Sequence, residues 1–380
     1  MRFALFCHSF VSCWNHGNAH FLRGIARELI RLGHEVSVHE PQDGWSRTNL
    51  LQDHGPSALD DAACIVPGVK LCTYRPEVFD ADGAVDGADV VLVHEWTDPE
   101  LVARLGECRI QGGRFILLFH DTHHRAVTAP QDIEKFRLEG YDGVLAFGEV
   151  LRKIYLQRGW GRQVYTWHEA ADTVLFRPLT AAAETDLIWI GNWGDGERDK
   201  ELQDFLLEPV SILGLRARLH GVRYPQNIRQ RLAARQIQYA GWIPNHRVPE
   251  AFARARVTVH VPRRPYVEAL PGVPTIRMFE ALACGIPLVS ALWRDIEGLF
   301  PSGSYLSVTN ADQMTVALSL LLRDPQFAAR QVQIGLDAIR ARHTCHHRVE
   351  ALMHIISALR SGAEPRVPVP AARAEQVVQL

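Results

Sequence analysis

Short apolar segments of strand length alternate with amphipathic segments of helix length along most of the chain. Residues 90–93 and 115–119 are continuous apolar runs, whereas residues 20–32 repeat apolar side chains at helical spacing. Parallel strands need long crossover connections, and these are usually helices that cover both faces of the sheet. The alternation therefore predicts an α/β protein built on parallel sheets. With 380 residues, the chain is long enough for two domains of ordinary size.

Composition excludes several classes of protein. The chain is 47% hydrophobic and 22% charged, and its 41 basic and 43 acidic side chains give a net charge of −2. This balance is typical of a globular protein and predicts no nucleic acid partner. The seven cysteines form no CxxC pair, which favours reduced thiols and a cytoplasmic location. No apolar run approaches the ~20 residues that span a bilayer, although peripheral contact with a membrane stays open.

The most informative stretch is residues 271–290, which read Pro-Gly-Val-Pro-Thr-Ile-Arg-Met-Phe-Glu-Ala-Leu-Ala-Cys-Gly-Ile-Pro-Leu-Val-Ser. The pattern predicts a Gly/Pro loop, a short helix, a glycine stop and a buried strand. The start of such a helix presents backbone N–H groups and a partial positive charge, which suits a phosphate. Arg277 and Glu280 are three residues apart and share one face of this helix. The alternative is an ordinary helix whose Glu280 faces water.

This stretch resembles the donor-binding motif of GT-B glycosyltransferases, in which a helix carrying Glu-Ala-x-Ala-x-Gly-x-Pro holds the nucleotide of a sugar donor. It is most similar to the spore-maturation-type branch, whose pattern Arg-x-Phe-Glu-Ala-x-Ala-Cys-Gly matches residues 277–285. The resemblance implies two doubly wound, Rossmann-like domains that face each other across a cleft.

The same resemblance implies a division of the chain. An acceptor-side domain would span residues 1–175 and a donor domain residues 184–343, while a helix at 345–360 would pack back on the first domain. The tail at 361–380 is rich in Ala, Pro and Arg, which predicts disorder.

The implied function is transfer of a sugar, of the hexosyl type, from a nucleotide-diphosphate sugar to an acceptor hydroxyl. The reaction is expected to need neither a metal nor a cofactor. The acceptor is not identified and could be a glycan, a lipid, a protein or a small molecule. Two alternatives stay open, namely a nucleotide-sugar binding protein without transferase activity and a nucleotide-sugar 2-epimerase.

Cations after a glycine-rich loop are candidates for binding the diphosphate. Arg198 and Lys200 follow the loop that ends the apolar strand at 187–190, and the helix predicted at 201–207 is expected to end at Pro209. By resemblance, Glu280 would bind the ribose. A flexible turn with surface charges is the alternative. The residues expected to bind the donor are Gly191, Arg198, Lys200, Gly241, Gly272, Val273, Thr275, Arg277 and Glu280.

One position departs from the resemblance. Many retaining GT-B enzymes carry Glu-x7-Glu, but the residue eight positions before Glu280 is Gly272. The contact to the donor sugar would then come from the backbone of Gly272 and Val273 or from Glu268. The choice between retaining and inverting stereochemistry therefore stays open.

Polar residues end two of the apolar runs of the first half. His94 and Glu95 follow one run, and His120 and Asp121 follow the next. Ligands of parallel sheets bind beyond the carboxyl ends of the strands, so these residues are candidates for a site. By resemblance to retaining GT-B enzymes, His120 would position the sugar or act as a base, and Asp121 would orient His120. His94 and Glu95 would lie on the acceptor side.

Gly17 and Asn18 complete the acceptor-side prediction. They precede the helix at 20–32, at the point where the loop of a GT-B enzyme meets the reactants. Two alternatives remain for the histidines. His120, His123 and His124 could bind zinc together with a carboxylate, although their spacing lacks a second ligand pair of a known type. Alternatively, these histidines could be structural and bonded to the backbone.

Overall fold

The chain divides into two compact units. The computed structural model describes residues 1–59, 65–194 and 196–362. The first unit contains Met1–Glu169 and the segment that begins at Cys345, and the second contains Ala170–Thr344. Of the tail predicted at 361–380, all but Ser361 and Gly362 lies outside the described residues. No helix of the described residues is long and apolar enough to cross a membrane.

The first unit is built on a seven-stranded parallel sheet of order β3-β2-β1-β4-β5-β6-β7. Its strands are β1 (Arg2–Phe6), β2 (Glu35–Pro41), β3 (Lys70–Tyr74), β4 (Val90–His94), β5 (Ile116–Asp121), β6 (Gly143–Ala146) and β7 (Val164–Thr166). Its helices are α1 (Ala19–Arg31), α2 (Trp45–His54), α3 (Ala81–Val85), α4 (Pro99–Ile110), α5 (Arg125–Thr128), α6 (Pro130–Ile133), α7 (Glu149–Arg158) and α16 (Cys345–Ser361), with a 3₁₀ turn at Pro76–Val78. The strand order reverses beside β1, which places the ends of β1 and β4 at a switch point of the topology.

Helix α16 completes the first unit although it is encoded last. It packs on α1, and its apolar face is buried at Val349, Leu352 and Ile355. The indole of Trp167 donates a hydrogen bond to the Arg348 carbonyl at 2.8 Å. The core of the first unit therefore combines both ends of the described chain.

The second unit is built on a six-stranded parallel sheet of order β10-β9-β8-β11-β12-β13. Its strands are β8 (Thr185–Ile190), β9 (Ala217–His220), β10 (Gln238–Tyr239), β11 (Ala255–His260), β12 (Leu288–Ala291) and β13 (Leu306–Val308). Its helices are α8 (Asp199–Leu202), a π-helical turn (Gln203–Leu207), α9 (Glu208–Leu213), α10 (Gln226–Ala234), a 3₁₀ turn (Asn245–Arg247), α11 (Val248–Ala253), α12 (Arg264–Glu268), α13 (Ile276–Cys284), α14 (Ala311–Arg323) and α15 (Pro325–Arg342).

The prediction that a helix ends at Pro209 is wrong. Helical structure continues from α8 through the π-helical turn into α9, and Pro209 lies in the first turn of α9. Proline lacks an N–H and clashes with the preceding turn of an α-helix, whereas a π-helical turn widens the hydrogen-bond register locally. The register change therefore allows Pro209 to stay within a helical segment.

Candidate active site

The start of α13 follows the predicted pattern. Thr275 is the N-cap in an extended conformation, and Gly285 ends the helix in the left-handed conformation with φ +67°. The Thr275 side chain does not cap the helix, and the first turn contains no acidic residue. Instead, Thr275 Oγ1 lies 3.0 Å from His260 Nε2, and His260 Nδ1 lies 2.8 Å from Ser290 Oγ. The first turn of α13 therefore contributes no carboxylate of its own that would offset the partial positive charge of the helix start.

Three arginines surround the same region and are called the arginine cluster here: Arg198, Arg263 and Arg277. Burial lowers the pKa of Arg198 to about 10, and the charges of Arg263 and Arg277 act in the same direction. Burial also lowers the pKa of His260 to about 3, again with contributions from Arg198 and Arg277. Arg263 pairs with Glu197 at 3.0 Å, and Arg277 pairs with Glu280. Arginine side chains are well suited to binding phosphate groups, so Arg198, which has no ion pair among the described residues, is the candidate of this cluster for an anionic ligand.

Arg198 is held in place by the ends of two strands. Its Nη1 donates to the Val261 carbonyl at 3.0 Å, and its Nη2 donates to the Asn192 carbonyl. The guanidinium also lies over the Trp189 ring, 5.3 Å from the centroid. Among the described residues Arg198 makes no ion pair, and it lies in the same region as Arg277. A role for these two arginines in binding a diphosphate stays a prediction.

Glu280 is fully buried, which differs from the open alternative of a glutamate that faces water. Its Oε1 accepts a hydrogen bond from Asn245 Nδ2 at 2.9 Å, and its Oε2 pairs with Arg277 Nη1. The Arg277 side chain is 20% exposed, so the pair orients the guanidinium at the edge of the buried region. Asn245 is a residue that the sequence analysis missed. Its signal was the Pro244 turn directly before it, which follows the predicted donor loop at Gly241.

Lys200 does not join the arginine cluster by any contact in the described residues. Its ammonium pairs with Asp204, and its side chain is 78% exposed. It lines a separate groove together with Phe205, Asn310 and Asp312. Its position on α8 directs it towards α14 rather than towards the arginine cluster.

Position 272 requires a glycine for two reasons, its backbone conformation and the lack of space for a side chain. Its φ is +88°, and a Cβ built on it would lie 2.9 Å from Cγ and Oε1 of Glu297. Its N–H donates to the Arg294 carbonyl at 2.7 Å, and the adjacent Val273 is buried. The carboxylate of Glu297 thus lies where a side chain at position 272 would begin. Glu268, the other candidate for a sugar contact, is exposed at the end of α12.

The two remaining donor-loop glycines lie at strand ends and are tied to neighbouring loops. The Gly191 carbonyl accepts a hydrogen bond from Tyr224 Oη at 3.1 Å. The Gly241 carbonyl accepts one from the Gly221 N–H at 2.9 Å, and Gly241 has a φ of +72°. Both glycines therefore lie at the carboxyl edge of the second sheet, just after β8 and β10. Their contact with a donor stays a prediction.

In the first unit, His94 and His120 lie side by side on neighbouring strands. They are register partners of β4 and β5, and their ring centroids are 5.5 Å apart. Both ring nitrogens of His120 are buried and have no hydrogen-bond partner among the described residues. The His94 Nε2 lies 3.2 Å from Thr122 Oγ1. Burial lowers the pKa of His120 to about 3, so its imidazole is neutral at neutral pH.

Asp121 does not orient His120, which differs from the prediction. The Asp121 carboxylate accepts hydrogen bonds from Tyr155 Oη at 2.7 Å and from the His123 N–H at 3.0 Å. Consecutive residues of a strand point to opposite faces of the sheet, so His120 and Asp121 diverge within β5. Burial also raises the pKa of the Asp121 carboxyl. Asp121 therefore links β5 to α7 through its hydrogen bond with Tyr155.

Both carboxylate oxygens of Glu95 accept hydrogen bonds from other residues of the protein. It accepts a hydrogen bond from Arg125 Nη2 at 2.6 Å and others from the N–H and hydroxyl of Thr122 at 3.3 and 3.2 Å. Burial raises its pKa to about 8, and the charge of Asp121 adds to this effect. Glu95 thus holds the loop after β5 in place. A direct contact of Glu95 with an acceptor stays a prediction.

Gly17 and Asn18 lie at the start of α1. The Gly17 carbonyl accepts a hydrogen bond from the His20 N–H at 3.3 Å. Asn18 is the N-cap of α1, but its side chain makes no capping hydrogen bond, and its Oδ1 is buried without a partner. The side chain therefore keeps a hydrogen-bond acceptor available at the helix start.

The loop after β1 brings two further histidines to this region, which the sequence analysis missed. His8 and His16 have ring centroids 4.1 Å apart, and each lies about 6 Å from His94, at 6.2 and 6.0 Å respectively. We call His8, His16, His94 and His120 the histidine cluster. The signal was available, because His8 follows an apolar strand just as His94 and His120 do. No group of three or more His, Cys, Asp or Glu in the described part of the chain has the arrangement of a metal site.

The fold is that of the GT-B glycosyltransferases. Sucrose-phosphate synthase from Thermosynechococcus elongatus matches with a TM-score of 0.65 and 15% identity, over 96% of this chain and 100% of that chain. Anabaena HepE in complex with UDP-glucose matches with a TM-score of 0.67 and 13% identity, over 94% of this chain and 100% of that chain. An α-glucosyltransferase in complex with UDP and a 13-mer DNA gives a TM-score of 0.70 and 12% identity, over 94% and 99% of the two chains. At these identities the likeness shows the fold, and it confirms the predicted α/β class with two parallel sheets.

A family model described as Glycosyl transferase-like matches residues 198–354. The match begins at Arg198 and includes all of α13. Helix α13 contains the sequence motif on which the resemblance to GT-B glycosyltransferases was based. The narrower spore-maturation-type branch stays a prediction. A comparison with curated proteins gave no significant match.

Proposed function

We propose that the protein is a glycosyltransferase that moves a sugar from a nucleotide-diphosphate sugar to an acceptor hydroxyl. The observation that carries the proposal is the position of Arg198 and Arg277 beside the start of α13, where Arg198 is held by the Val261 carbonyl, Arg277 by Glu280, and His260 contacts the N-cap Thr275. Cations and helix N-termini are general solutions for binding a diphosphate. The family match over residues 198–354 supports the same assignment.

In the proposed reaction, the oxygen of the acceptor hydroxyl forms a bond to the anomeric carbon while the bond from that carbon to the diphosphate oxygen breaks, and the hydroxyl proton passes to the departing diphosphate. The nucleoside diphosphate leaves with an added negative charge, which Arg198, Arg277 and the α13 start stabilise without a metal or cofactor. Preorganised charge of this kind lowers a barrier by about 2–4 kcal/mol per group. Glu280, held by Asn245, would accept hydrogen bonds from the ribose hydroxyls.

His120 is better suited to position a sugar than to act as a base. A general base works best when its pKa lies near the working pH. Burial lowers the pKa of His120 to about 3, which makes it a poor proton acceptor. As a neutral imidazole it offers one hydrogen-bond donor and one acceptor to sugar hydroxyls.

The test begins with binding. UDP, GDP, dTDP and ADP are compared by thermal shift, because a ligand at 100 times its Kd stabilises a protein by about 2.7 kcal/mol. UDP is the first choice, since HepE and the α-glucosyltransferase were solved with UDP-glucose or UDP. The preferred nucleotide then identifies the sugar donor for assays of hydrolysis and transfer.

Arginine variants test the assigned roles. Arg277→Met and Arg198→Met are each expected to lower turnover by about 30-fold to 1,000-fold, which corresponds to about 2–4 kcal/mol. Arg254→Met is the matched control, because Arg254 makes an exposed ion pair with Glu184 in the same unit. Unchanged turnover in both Arg277→Met and Arg198→Met would contradict the proposal. Tight nucleotide binding without turnover would favour a binding protein, and epimerised donor in the absence of an acceptor would favour a 2-epimerase.

A further inference from the structure

We propose that the amino-terminal edge of the second sheet binds an anionic membrane surface through four arginines. These side chains lie at the starts of β9 and β11, the two strands that flank β8. The sequence repeats at these points, because Arg-Ala-Arg occurs at residues 216–218 and again at residues 254–256. We call these four side chains the edge arginines: Arg216, Arg218, Arg254 and Arg256. The proposal does not depend on the proposed function, which is carried by residues at the carboxyl edge of the same sheet.

The first step of the argument is that the edge arginines outnumber the carboxylates that bind them. Two carboxylates at the start of β8, Glu184 and Asp186, each pair with one edge arginine from β9 and one from β11. The N–O distances are 3.1 Å for Arg218–Glu184, 2.8 Å for Arg254–Glu184, 3.3 Å for Arg216–Asp186 and 3.4 Å for Arg256–Asp186. Four arginines therefore share two carboxylates, which leaves an excess of two positive charges.

The charge of this group of residues is constant near neutral pH. A hydrogen bond from Arg218 lowers the pKa of Glu184, and Arg254 adds to the effect. Burial raises the pKa of Asp186, but the hydrogen bonds and the charge of Arg216 outweigh burial, so that the pKa is lowered overall. Both carboxylates are thus ionised, and binding through the excess charge is not expected to change between about pH 6 and pH 8.

The second step is that the fold does not need all four arginines. Exposed ion pairs contribute little to stability, and one arginine for each carboxylate would already leave neither carboxylate unpaired. The side chains of Arg216 and Arg254 are 67% and 52% exposed. Among the described residues, the Arg254 side chain donates one hydrogen bond, to Glu184, of the five that a guanidinium can donate. The exposed arginines therefore keep donors for a partner outside the protein.

The third step is that further arginines lie at the same edge. The connecting helices of a parallel sheet run back to its amino-terminal edge, so their last residues lie beside the strand starts. Arg235 is the C-cap of α10 and Arg323 is the last residue of α14, and both are exposed. Arg256 Nη2 donates to the Leu322 carbonyl, which brings the end of α14 to the edge arginines. Asp324, which caps α15, offsets one of these additional charges.

The fourth step identifies the partner. Guanidinium groups bind phosphate groups well, and clusters of about four to eight basic residues are typical of contacts with anionic lipids. Apolar side chains strengthen such contacts by entering the membrane interface. Ile212, which lies four residues before Arg216, is 59% exposed. Nucleic acid is matched less well, because single strands stack on aromatic side chains, whereas Ala217 and Ala255 separate the edge arginines.

The experiment measures co-sedimentation of the full chain with two kinds of vesicle, one of pure phosphatidylcholine and one of an equal mixture of phosphatidylcholine and phosphatidylglycerol. Binding is expected only to the anionic mixture, and added salt is expected to weaken it by screening exposed charges. The double variant Arg216→Gln with Arg254→Gln leaves one arginine on each carboxylate and removes only the excess charge. Each basic residue contributes on the order of five-fold to affinity for an anionic membrane, so the double variant is expected to bind about 25-fold more weakly.

Two further variants separate the effect of charge from an effect on folding. Glu184→Gln removes a negative charge from the same edge, and it is expected to strengthen vesicle binding by about five-fold. Loss of folded protein could not produce that increase. The matched control is the double variant Arg137→Gln with Arg247→Gln, which removes the same total charge from two exposed ion pairs elsewhere in the chain. It is expected to bind vesicles as the wild-type protein does.

Three results would overturn the proposal: no binding of the wild-type protein to the anionic mixture, equal binding to both kinds of vesicle, or equal binding of the wild-type protein and the Arg216→Gln, Arg254→Gln variant. Tighter binding to a single-stranded or duplex oligonucleotide than to vesicles, lost in the same variant, would also overturn it and assign the edge to nucleic acid. Nucleotide affinity without lipid tests the proposed function separately. That affinity is expected to be unchanged in this variant, because Arg198 and the α13 start lie at the opposite edge of the sheet.

Discussion

Among single residues, Glu280 most clearly links stability to binding. It is buried between Asn245 and Arg277, and both of its oxygens have protein partners. A carboxylate is costly to bury unless it is paired and hydrogen bonded. Here the pair also fixes Arg277, whose guanidinium belongs to the arginine cluster. The residue that the sequence suggested as a ribose ligand therefore also fixes the position of the Arg277 guanidinium.

A double-mutant cycle on this pair gives the first expected outcome. Glu280→Gln keeps a hydrogen bond to Asn245 but removes the charge that holds Arg277. We expect Glu280→Gln and Arg277→Met to couple by about 1–3 kcal/mol in the free energy of unfolding of the second unit, because each single change leaves one partner unpaired. Urea unfolding of the two single variants and the double variant measures the coupling. Additive effects would indicate that the pair does not stabilise the fold.

At the scale of elements, the loop before α13 is constrained more tightly than its sequence indicates. Gly272 has a left-handed backbone conformation and also lies against Glu297. Gly194 has a similar φ of +92°, but a Cβ there would meet no atom of the described residues within 4 Å. A side chain at position 194 would therefore cause backbone strain alone, whereas a side chain at position 272 would cause both backbone strain and a steric clash.

Alanine substitution at both glycines tests this distinction. Gly194→Ala is expected to cost about 1 kcal/mol through backbone strain alone. Gly272→Ala is expected to cost about 1–3 kcal/mol more, because the new methyl group displaces Glu297. Thermal unfolding of both variants gives the difference, and nucleotide affinity shows whether the displaced loop affects the α13 start. Equal destabilisation would mean that Glu297 moves aside at little cost.

Elements with strong local signals were predictable from the sequence. The apolar runs marked β4, β5 and β8, and the end of α13 at Gly285 follows from the preference for glycine in the left-handed conformation after a helix. The predictions that differ from the structure depend on geometry that local sequence patterns do not encode. Asp121 lies next to His120 in sequence, yet strand alternation separates their side chains. Pro209 predicts a helix end unless a π-helical turn precedes it.

Some of the site also depends on contacts between distant residues. Asn245 reaches Glu280 from 35 positions away, and Glu297 approaches Gly272 from a loop that follows β12. No spacing rule brings such pairs together. His8 could have been recognised, because the rule that ligands bind at the carboxyl ends of strands applies to β1 as it does to β4 and β5.

For the whole molecule, buried neutral histidines make stability depend on pH. His8, His120 and His260 have pKa values lowered to about 3, whereas an unfolded histidine titrates near its ordinary value of 6.5. Between these values the unfolded state binds more protons, so stability is lost as the pH falls below about 6.5. Glu95 acts in the opposite direction, because its pKa is raised to about 8 and its contribution is lost as the pH rises.

Replacing one histidine isolates its share of this effect. His8→Phe removes one group that the unfolded state protonates, so the slope of unfolding free energy against pH is expected to fall by up to about 1.4 kcal/mol per pH unit between pH 6 and 4. Urea unfolding followed in the first unit at several pH values measures the slope. An identical slope in His8→Phe and the wild-type protein would show that His8 is protonated as readily in the folded state as in the unfolded state.

The position of α16 has a consequence for how the protein is made. All the strands of the first unit are encoded before residue 170, yet α16, which packs on α1, is translated only after residues 170–344 of the second unit. The described part of the second unit is one continuous segment that can begin to fold as it emerges, whereas the first unit lacks α16 until translation has passed that segment. The first unit is therefore completed last, although its strands are translated first. Until α16 has emerged from the ribosome, the surface of α1 that α16 contacts is exposed and can be bound by a chaperone.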